Sequence, residues 1–198
     1  MDSGKKVVAA FDFDGTLTKK DTLFDFIIFA KGLLDFFVGI IIISPVLVLF
    51  KLGFIKNDKA KQILFSYFFK GESIDRFNKT CDDYKRQIDK ICHIERLEKV
   101  NWHKKQGHEV VIISASIENW IMPWATSKGI STVIGTQIEV KDGKITGKFS
   151  SCNCYGEEKV NRLKCYLPDR DCYILYAYGD SSGDKHLLEY SDYPTLYR

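Results

Sequence analysis

Apolar residues run almost unbroken from Val7 to Phe11 and stop at Asp12. A short continuous apolar run of this kind fits a strand buried on both faces, as in a parallel sheet. Between Thr22 and Gly107 no comparable strand pattern occurs. There, "DTLFDFIIFAKG", "NDKAKQILFSYFFKG", "SIDRFNKTCDDYKRQIDKI" and "IERLEKVNWHKKQG" space their apolar residues at helical intervals. Gly32, Gly71 and Gly107 stand where helices stop, and Asn57, Ser73 and His93 stand near starts. Then the strand pattern returns. "HEVVIISAS" predicts a second buried strand, and "IENWIMPWATSKG" a helix that Pro123 disturbs. "VIGTQIEVKDGKITGKF" sets two alternating runs around Asp142-Gly143, a hairpin signal. "GEEKVNRLKCYL" predicts a helix, and "CYILYAYGD" a third strand that ends in an acid. A helix in "SGDKHLLEY" and a short strand near "YPTLYR" follow.

Strand-loop-helix units therefore occupy residues 1–21 and 106–198, and a helical block occupies 22–105. This order predicts an α/β fold, a doubly wound, Rossmann-like parallel sheet with a helical cap inserted after the first strand.

One stretch of the insertion is apolar without periodicity. "FFVGIIIISPVLVLF", Phe36 to Phe50, carries no charge. It is shorter than the roughly 20 residues of a membrane-spanning helix, holds Pro45, and is bounded by Asp35 and Lys51. A single crossing would also put Asp12 on one side of a bilayer and Ser114 and Asp180 on the other. Two readings stay open: two short helices broken near Ser44-Pro45 and packed inside the cap, or an apolar hairpin that dips into a membrane face. A cap of this size can hardly bury every one of these side chains. Exposed apolar surface is expected, and such patches mark contacts with lipid, a partner chain or an apolar substrate.

Composition narrows the class. The 198 residues suffice for one sizeable core with a modest insertion, and 45% hydrophobic and 28% charged residues are ordinary for a folded soluble protein. The net charge of +3 is small and the basic residues are interspersed, so there is no nucleic-acid footprint. The start "MDSGKK" lacks a signal-peptide pattern, so Cys81, Cys92, Cys152, Cys154, Cys165 and Cys172 are expected as reduced thiols of a cytoplasmic protein. Peripheral contact with the inner face of the membrane through 36–50 is compatible with that location. Cys152 and Cys154 have no second pair at zinc spacing.

The chemistry lies where strands end, since ligands of open parallel sheets bind beyond the carboxyl ends. Asp12 and Asp14 follow the first strand, and Asp180 and Asp184, in "YGDSSGD", follow the third. Carboxylates that converge repel one another unless a cation neutralises them, and a hard, oxygen-seeking ion such as Mg²⁺ suits them. Ser114 closes "VVIIS" and Lys159 lies near the start of "GEEKVNRL". A hydroxyl and an ammonium are what the equatorial oxygens of a transferring phosphoryl group need. Ser116 and Lys164 are the nearby competitors for these two roles. Trp120 and Trp124 stand four apart, on one helix face, and are expected in packing.

"DFDGTLT", a Ser ending an apolar strand, a Lys in "GEEKV" and "GDSSGD" together resemble the haloacid dehalogenase superfamily, whose four motifs occur in this order over the whole chain. The resemblance implies a Mg²⁺-dependent phosphomonoester hydrolase working through an aspartyl-phosphate. Asp12 would be the nucleophile, and Asp14 would protonate the leaving alcohol and then deprotonate water. Asp12, the backbone carbonyl of Asp14 and Asp180 would hold the metal, with Asp184 supporting that shell. The helical insertion resembles the cap of the phosphoserine phosphatase subfamily, where an acid at the place of Asp21 contacts the substrate amine; the plain reading of Asp21 is a helix cap. The apolar stretch and "NCYGEEKV" are similar to the phosphatidylglycerophosphatase C group, which acts on a phospholipid headgroup. A phosphorylated small molecule or a lipid headgroup is thus the expected partner, and the oligomeric state is open. The rival class is a receiver-like phosphoacceptor. Receivers lack an acid two residues after the nucleophile and lack a cap, so Asp14 and the helical block argue against that class.

Overall fold

A computed structural model describes residues 4–197. Five parallel strands, β1 (Lys6–Phe11), β2 (Glu109–Ile117), β3 (Thr132–Thr136), β6 (Tyr173–Gly179) and β7 (Tyr193–Leu196), form one sheet in the order β3-β2-β1-β6-β7. From β1 the order runs to β2 on one side and to β6 on the other. Such a reversal opens a crevice at the carboxyl ends of the strands. Phe11 lies opposite Tyr178, and the Asp12 N–H donates to the Tyr178 carbonyl at 2.9 Å. Asp12 and Asp180, each just past its strand, therefore emerge at one level.

Alternation along β1 builds two cores. Ala9 and Phe11 face one cluster, Val8 and Ala10 the other, and all four are fully buried. The second cluster is closed by α7 (Glu157–Tyr166) and α8 (Lys185–Tyr190). The first is closed by α5 (Ile94–Lys105) and α6 (Glu118–Ser127) and runs on into α1 (Thr22–Lys31), α3 (Asn57–Phe69) and α4 (Ile74–Ile91). Sheet and helical block thus share one continuous core through Phe26, Phe65, Phe77, Tyr84 and Trp120. Trp120 and Trp124 are fully buried there; Trp120 stacks on Phe26, and the Trp124 indole N–H donates to Asp89 at 2.8 Å.

The structure departs from the sequence pattern in four places. Thr132–Thr136 is not part of the hairpin but a parallel strand of the sheet, paired with β2. The hairpin itself, β4 (Ile138–Lys141) and β5 (Lys144–Phe149), turns at Asp142-Gly143, both with positive φ (49° and 71°), and packs on α3. Conversely α5, expected with the helical insertion, packs on β2. Pro123 does not stop α6, which runs through it.

The fourth departure is the apolar stretch, which is neither two broken helices nor a hairpin. It is one helix, α2 (Leu33–Lys51), running through Pro45. Proline cannot donate to the carbonyl four residues back, and here the Ser44 hydroxyl donates to the Ile41 carbonyl at 2.7 Å instead. α2 packs on α1 and α3. Gly39 allows the close approach, since a Cβ there would lie 2.3 Å from the Phe68 ring. Ile43 is buried on the same stripe, and Phe36, Ile40, Val46 and Leu47 are partly buried beside it.

Candidate active site

The loop after β1 is held rigidly. The N–H groups of Leu17 and Thr18 both donate to the Phe13 carbonyl, and Arg96 of α5 donates to the carbonyls of Gly15 and Thr16. Gly15 has φ +78°, and a Cβ there would stand 2.3 Å from Asp180 Oδ2. Only glycine lets the first loop come this close to the acid after β6.

Behind that loop, four charged groups meet. Lys159 Nζ donates to Asp12 Oδ1 and to Asp184 Oδ1, both at 2.5 Å, and all three residues are at most 5% exposed. Asp184 Oδ2 accepts from the Asp180 N–H (3.1 Å), the Ser181 N–H (3.0 Å) and the Ser181 hydroxyl (3.0 Å). Asp180 Oδ1 accepts from the Thr16 hydroxyl at 2.7 Å. One carboxylate oxygen from each of Asp12, Asp180 and Asp184 lies within 4.8 Å of the others.

Burial dominates the electrostatics. It pushes the Asp12 carboxyl up to about 7; Lys159 pulls it down, and Asp184 and Asp14 push it further up. For Lys159 burial works against the charge, but Asp12 and Asp184 outweigh it and hold the ammonium above its usual range. Burial would raise Asp184 too, but Lys159 and Ser181 outweigh it and hold the carboxyl below its usual range. Three carboxylates face one ammonium, so the cluster lacks positive charge. All of its donor atoms are carboxylate oxygens, which fits a hard divalent cation. Asp184 has both oxygens engaged by donors. Asp12 Oδ2 and Asp180 Oδ2 receive no hydrogen bond from the described residues, so these two are the acids with an oxygen to offer.

Asp14 turns its carboxylate away from the cluster. Oδ1 accepts from the Thr22 N–H (2.7 Å) and hydroxyl (2.6 Å), and Oδ2 from the Ser116 hydroxyl (2.5 Å). A metal contact from Asp14 would thus come from its backbone, not from this side chain. Ser114 is fully buried; its Oγ accepts from the Ser116 N–H at 3.0 Å and reaches Asp14 Oδ2 at 3.5 Å. Of the two serines, Ser116 makes the tighter contact with Asp14. Lys164, the competitor of Lys159, lies instead over the Tyr190 ring. Asp21 caps α1, its Oδ1 accepting from the Leu23 N–H at 2.8 Å, and also lines the cavity. Burial, then Asp14, raises its carboxyl above the usual range.

A cavity of about 340 Å³ lies over these groups, with Asp12, Asp14 and Lys159 among its lining and Leu23, Phe24, Leu47, Phe50 and Leu64 supplying apolar wall. Lys61 of α3 also lines it, and its Nζ donates to the Ala115 carbonyl at the end of β2 at 2.8 Å. Burial lowers this ammonium below its usual range, while Asp14 and Asp21 oppose the shift. Lys61 was not among the residues singled out by sequence. Its signal was there: it occupies the stripe of Leu64, Phe65 and Phe68, at i, i+3, i+4 and i+7, where a lysine is out of place.

A family model described as haloacid dehalogenase-like hydrolase matches residues 9–189. Protein CicA of Caulobacter vibrioides is 30% identical over 190 residues, covering 94% of this chain and 83% of that protein. A histidinol-phosphatase of Neisseria meningitidis is 34% identical over 106 residues, 50% of this chain and 48% of that protein. A phosphoserine phosphatase solved as a phospho-aspartyl intermediate analogue superposes with a TM-score of 0.62 at 19% identity, over 94% of this chain and 84% of that one.

Proposed function

The chain belongs to the haloacid dehalogenase-like hydrolase family, and on that premise we propose that it hydrolyses phosphate monoesters through a phosphorylated Asp12. The observation that carries this reading is the junction of buried Asp12, Lys159 and Asp184 with half-buried Asp180, under a cavity that Asp14 also lines. Asp12 attacks phosphorus, an O–P bond forms, and the bond from phosphorus to the alcohol oxygen breaks. Asp14 gives its proton to that oxygen. It then takes a proton from water, whose oxygen attacks the aspartyl-phosphate and releases inorganic phosphate and Asp12. Thr22 and Ser116 orient Asp14 for both transfers. Lys159 stands 2.5 Å from Asp12, close enough to meet the phosphoryl oxygens.

Asp12, Asp180 and the backbone of Asp14 would hold Mg²⁺, and Asp184 would fix the Asp180 loop and Lys159. When bound, the ion supplies positive charge that keeps Asp12 ionised and screens the phosphoryl oxygens. The helices α1–α4 act as a cap that excludes water from the transfer. Purified protein should release phosphate continuously from p-nitrophenyl phosphate with Mg²⁺, fall to background with a chelator, and recover when Mg²⁺ is restored. Stoichiometric labelling without sustained release would favour the phosphoacceptor instead.

Lys61 gives a second test. Its ammonium sits near Asp14 and Asp21 on the route of a phosphate dianion. Lys61→Met keeps the side-chain volume and removes the charge. We expect kcat/KM to fall by about tenfold to a hundredfold, mostly through KM, with little change in Tm. Steady-state kinetics at saturating Mg²⁺ would check this; unchanged KM would leave Lys61 a purely structural role.

A further inference from the structure

Arg96 stands in the first turn of α5, where the positive end of the helix opposes a cation. Among the described residues it forms no ion pair; two carbonyls and a ring hold it instead. Its Nη1 donates to the Gly15 carbonyl and, at 2.7 Å, to the Thr16 carbonyl. Its Cζ lies over the Tyr197 ring, 4.3 Å from the centroid.

Both contacts lead to Asp180. The Thr16 hydroxyl donates to Asp180 Oδ1 at 2.7 Å. The Tyr197 N–H donates at 2.8 Å to the carbonyl of Gly179, the residue before Asp180. Asp180, Thr16, Arg96, Tyr197 and Gly179 thus close a circuit drawn from the β1 loop, α5, the end of β6 and the residue after β7. Within it Asp180 Oδ1 is engaged, while Oδ2 receives no hydrogen bond from the described residues. The fold does not need Arg96 to hold the rest of the loop. Leu17 and Thr18 donate to the Phe13 carbonyl, the Lys19 N–H donates to the Ile91 carbonyl at 2.7 Å, and the His93 N–H donates to the Leu17 carbonyl at 2.9 Å. Arg96 ties down the two residues before these, Gly15 and Thr16, and they are the two that meet Asp180. A lysine could not do the same, because a point charge on a flexible stem does not both serve two adjacent carbonyls and lie flat on a ring. Neither Arg96 nor Tyr197 lines the cavity, so both act at one remove from substrate.

Resting on the metal-dependent reading above, we propose that Arg96 and Tyr197 are positioning residues that set the divalent-ion affinity of the site. They hold Thr16 in place, Thr16 fixes Asp180 Oδ1, and Oδ2 stays available to the ion.

The test is calorimetry with Mg²⁺ alone, without substrate. Arg96→Met and Tyr197→Leu should each weaken Mg²⁺ binding by about tenfold or more. Arg96→Lys should be as weak as Arg96→Met, whereas Tyr197→Phe, which keeps the ring, should bind like the wild type. Tyr197→Leu leaves Arg96 its two carbonyls, so the test does not depend on Arg96→Met folding. With p-nitrophenyl phosphate, the Mg²⁺ concentration for half-maximal rate should rise by the same factor. At saturating Mg²⁺, kcat should stay within about twofold of wild type, with KM for the ester unchanged. A lower Tm with unchanged Mg²⁺ affinity would make the pair merely structural and overturn the proposal. So would a Tyr197→Phe variant as impaired as Tyr197→Leu, or a wild-type protein that binds no Mg²⁺. A wild type that binds Mg²⁺ but hydrolyses no phosphate ester defeats the phosphatase reading, whereas calorimetry still decides the role of Arg96 and Tyr197.

Discussion

Asp12→Asn should lower phosphate release by at least about four orders of magnitude while leaving the fold intact. An amide has the shape of the carboxylate but no anionic oxygen with which to form the O–P bond. The fold should survive for a specific reason. Asp12 is buried, and its charge is opposed by its surroundings strongly enough to push its carboxyl to about 7. Removing that charge costs Lys159 one partner but leaves Asp184 at 2.5 Å, so the ammonium keeps a buried counter-ion. Thermal unfolding should therefore move by only a few degrees. Phosphate release, Tm and mass spectrometry after incubation with substrate check the three parts. A variant that keeps even a few per cent of wild-type turnover would place the nucleophile elsewhere, and neighbouring Asp14 would be the first alternative.

The sequence located the acids of the candidate site better than it located the elements of the helical insertion. Strand ends are marked by a change from apolar to acidic residues, so Asp12 and Asp180 could be set on one edge before any coordinates. What the pattern could not show was where each carboxylate points. Asp14 and Asp184 look alike as second acids of their pairs, yet Asp14 is drawn toward Thr22 and Ser116, and Asp184 toward Lys159. Those partners come from distant parts of the chain. β3 was hidden because "VIGTQIEV" alternates continuously, and the chain leaves the sheet within that run. α2 was hidden because Pro45 ordinarily ends a helix; the compensating Ser44 hydroxyl lies one residue before it. Lys61 was legible in principle, as a charge on an apolar stripe, but its meaning depends on its ammonium reaching the Ala115 carbonyl near the end of β2.

Lys159→Met tests the electrostatic balance on which the site depends. Removing the ammonium leaves Asp12 and Asp184 buried without their cation, a loss that typically costs about 3–5 kcal/mol. For a chain of this size that corresponds to a drop in Tm of roughly 10 °C. The cost should depend on divalent metal. In chelator the carboxylates of Asp12, Asp180 and Asp184 face one another with nothing between them. With Mg²⁺ bound, the same acids regain positive charge, and much of the lost Tm should return. The Mg²⁺-induced rise in Tm should therefore be several degrees larger in the variant than in the wild type, because the ion replaces a missing charge instead of joining one already present. Catalysis should not recover in parallel, since the ion cannot take the place of Lys159 beside the transferring phosphoryl group, and turnover should stay at least about a hundredfold down at saturating Mg²⁺. Thermal melts in chelator and in Mg²⁺, set beside kinetics, separate the two contributions. A variant as stable as the wild type in chelator would mean that the acids do not need Lys159. A variant with no larger response to Mg²⁺ would mean that the ion does not bind among them.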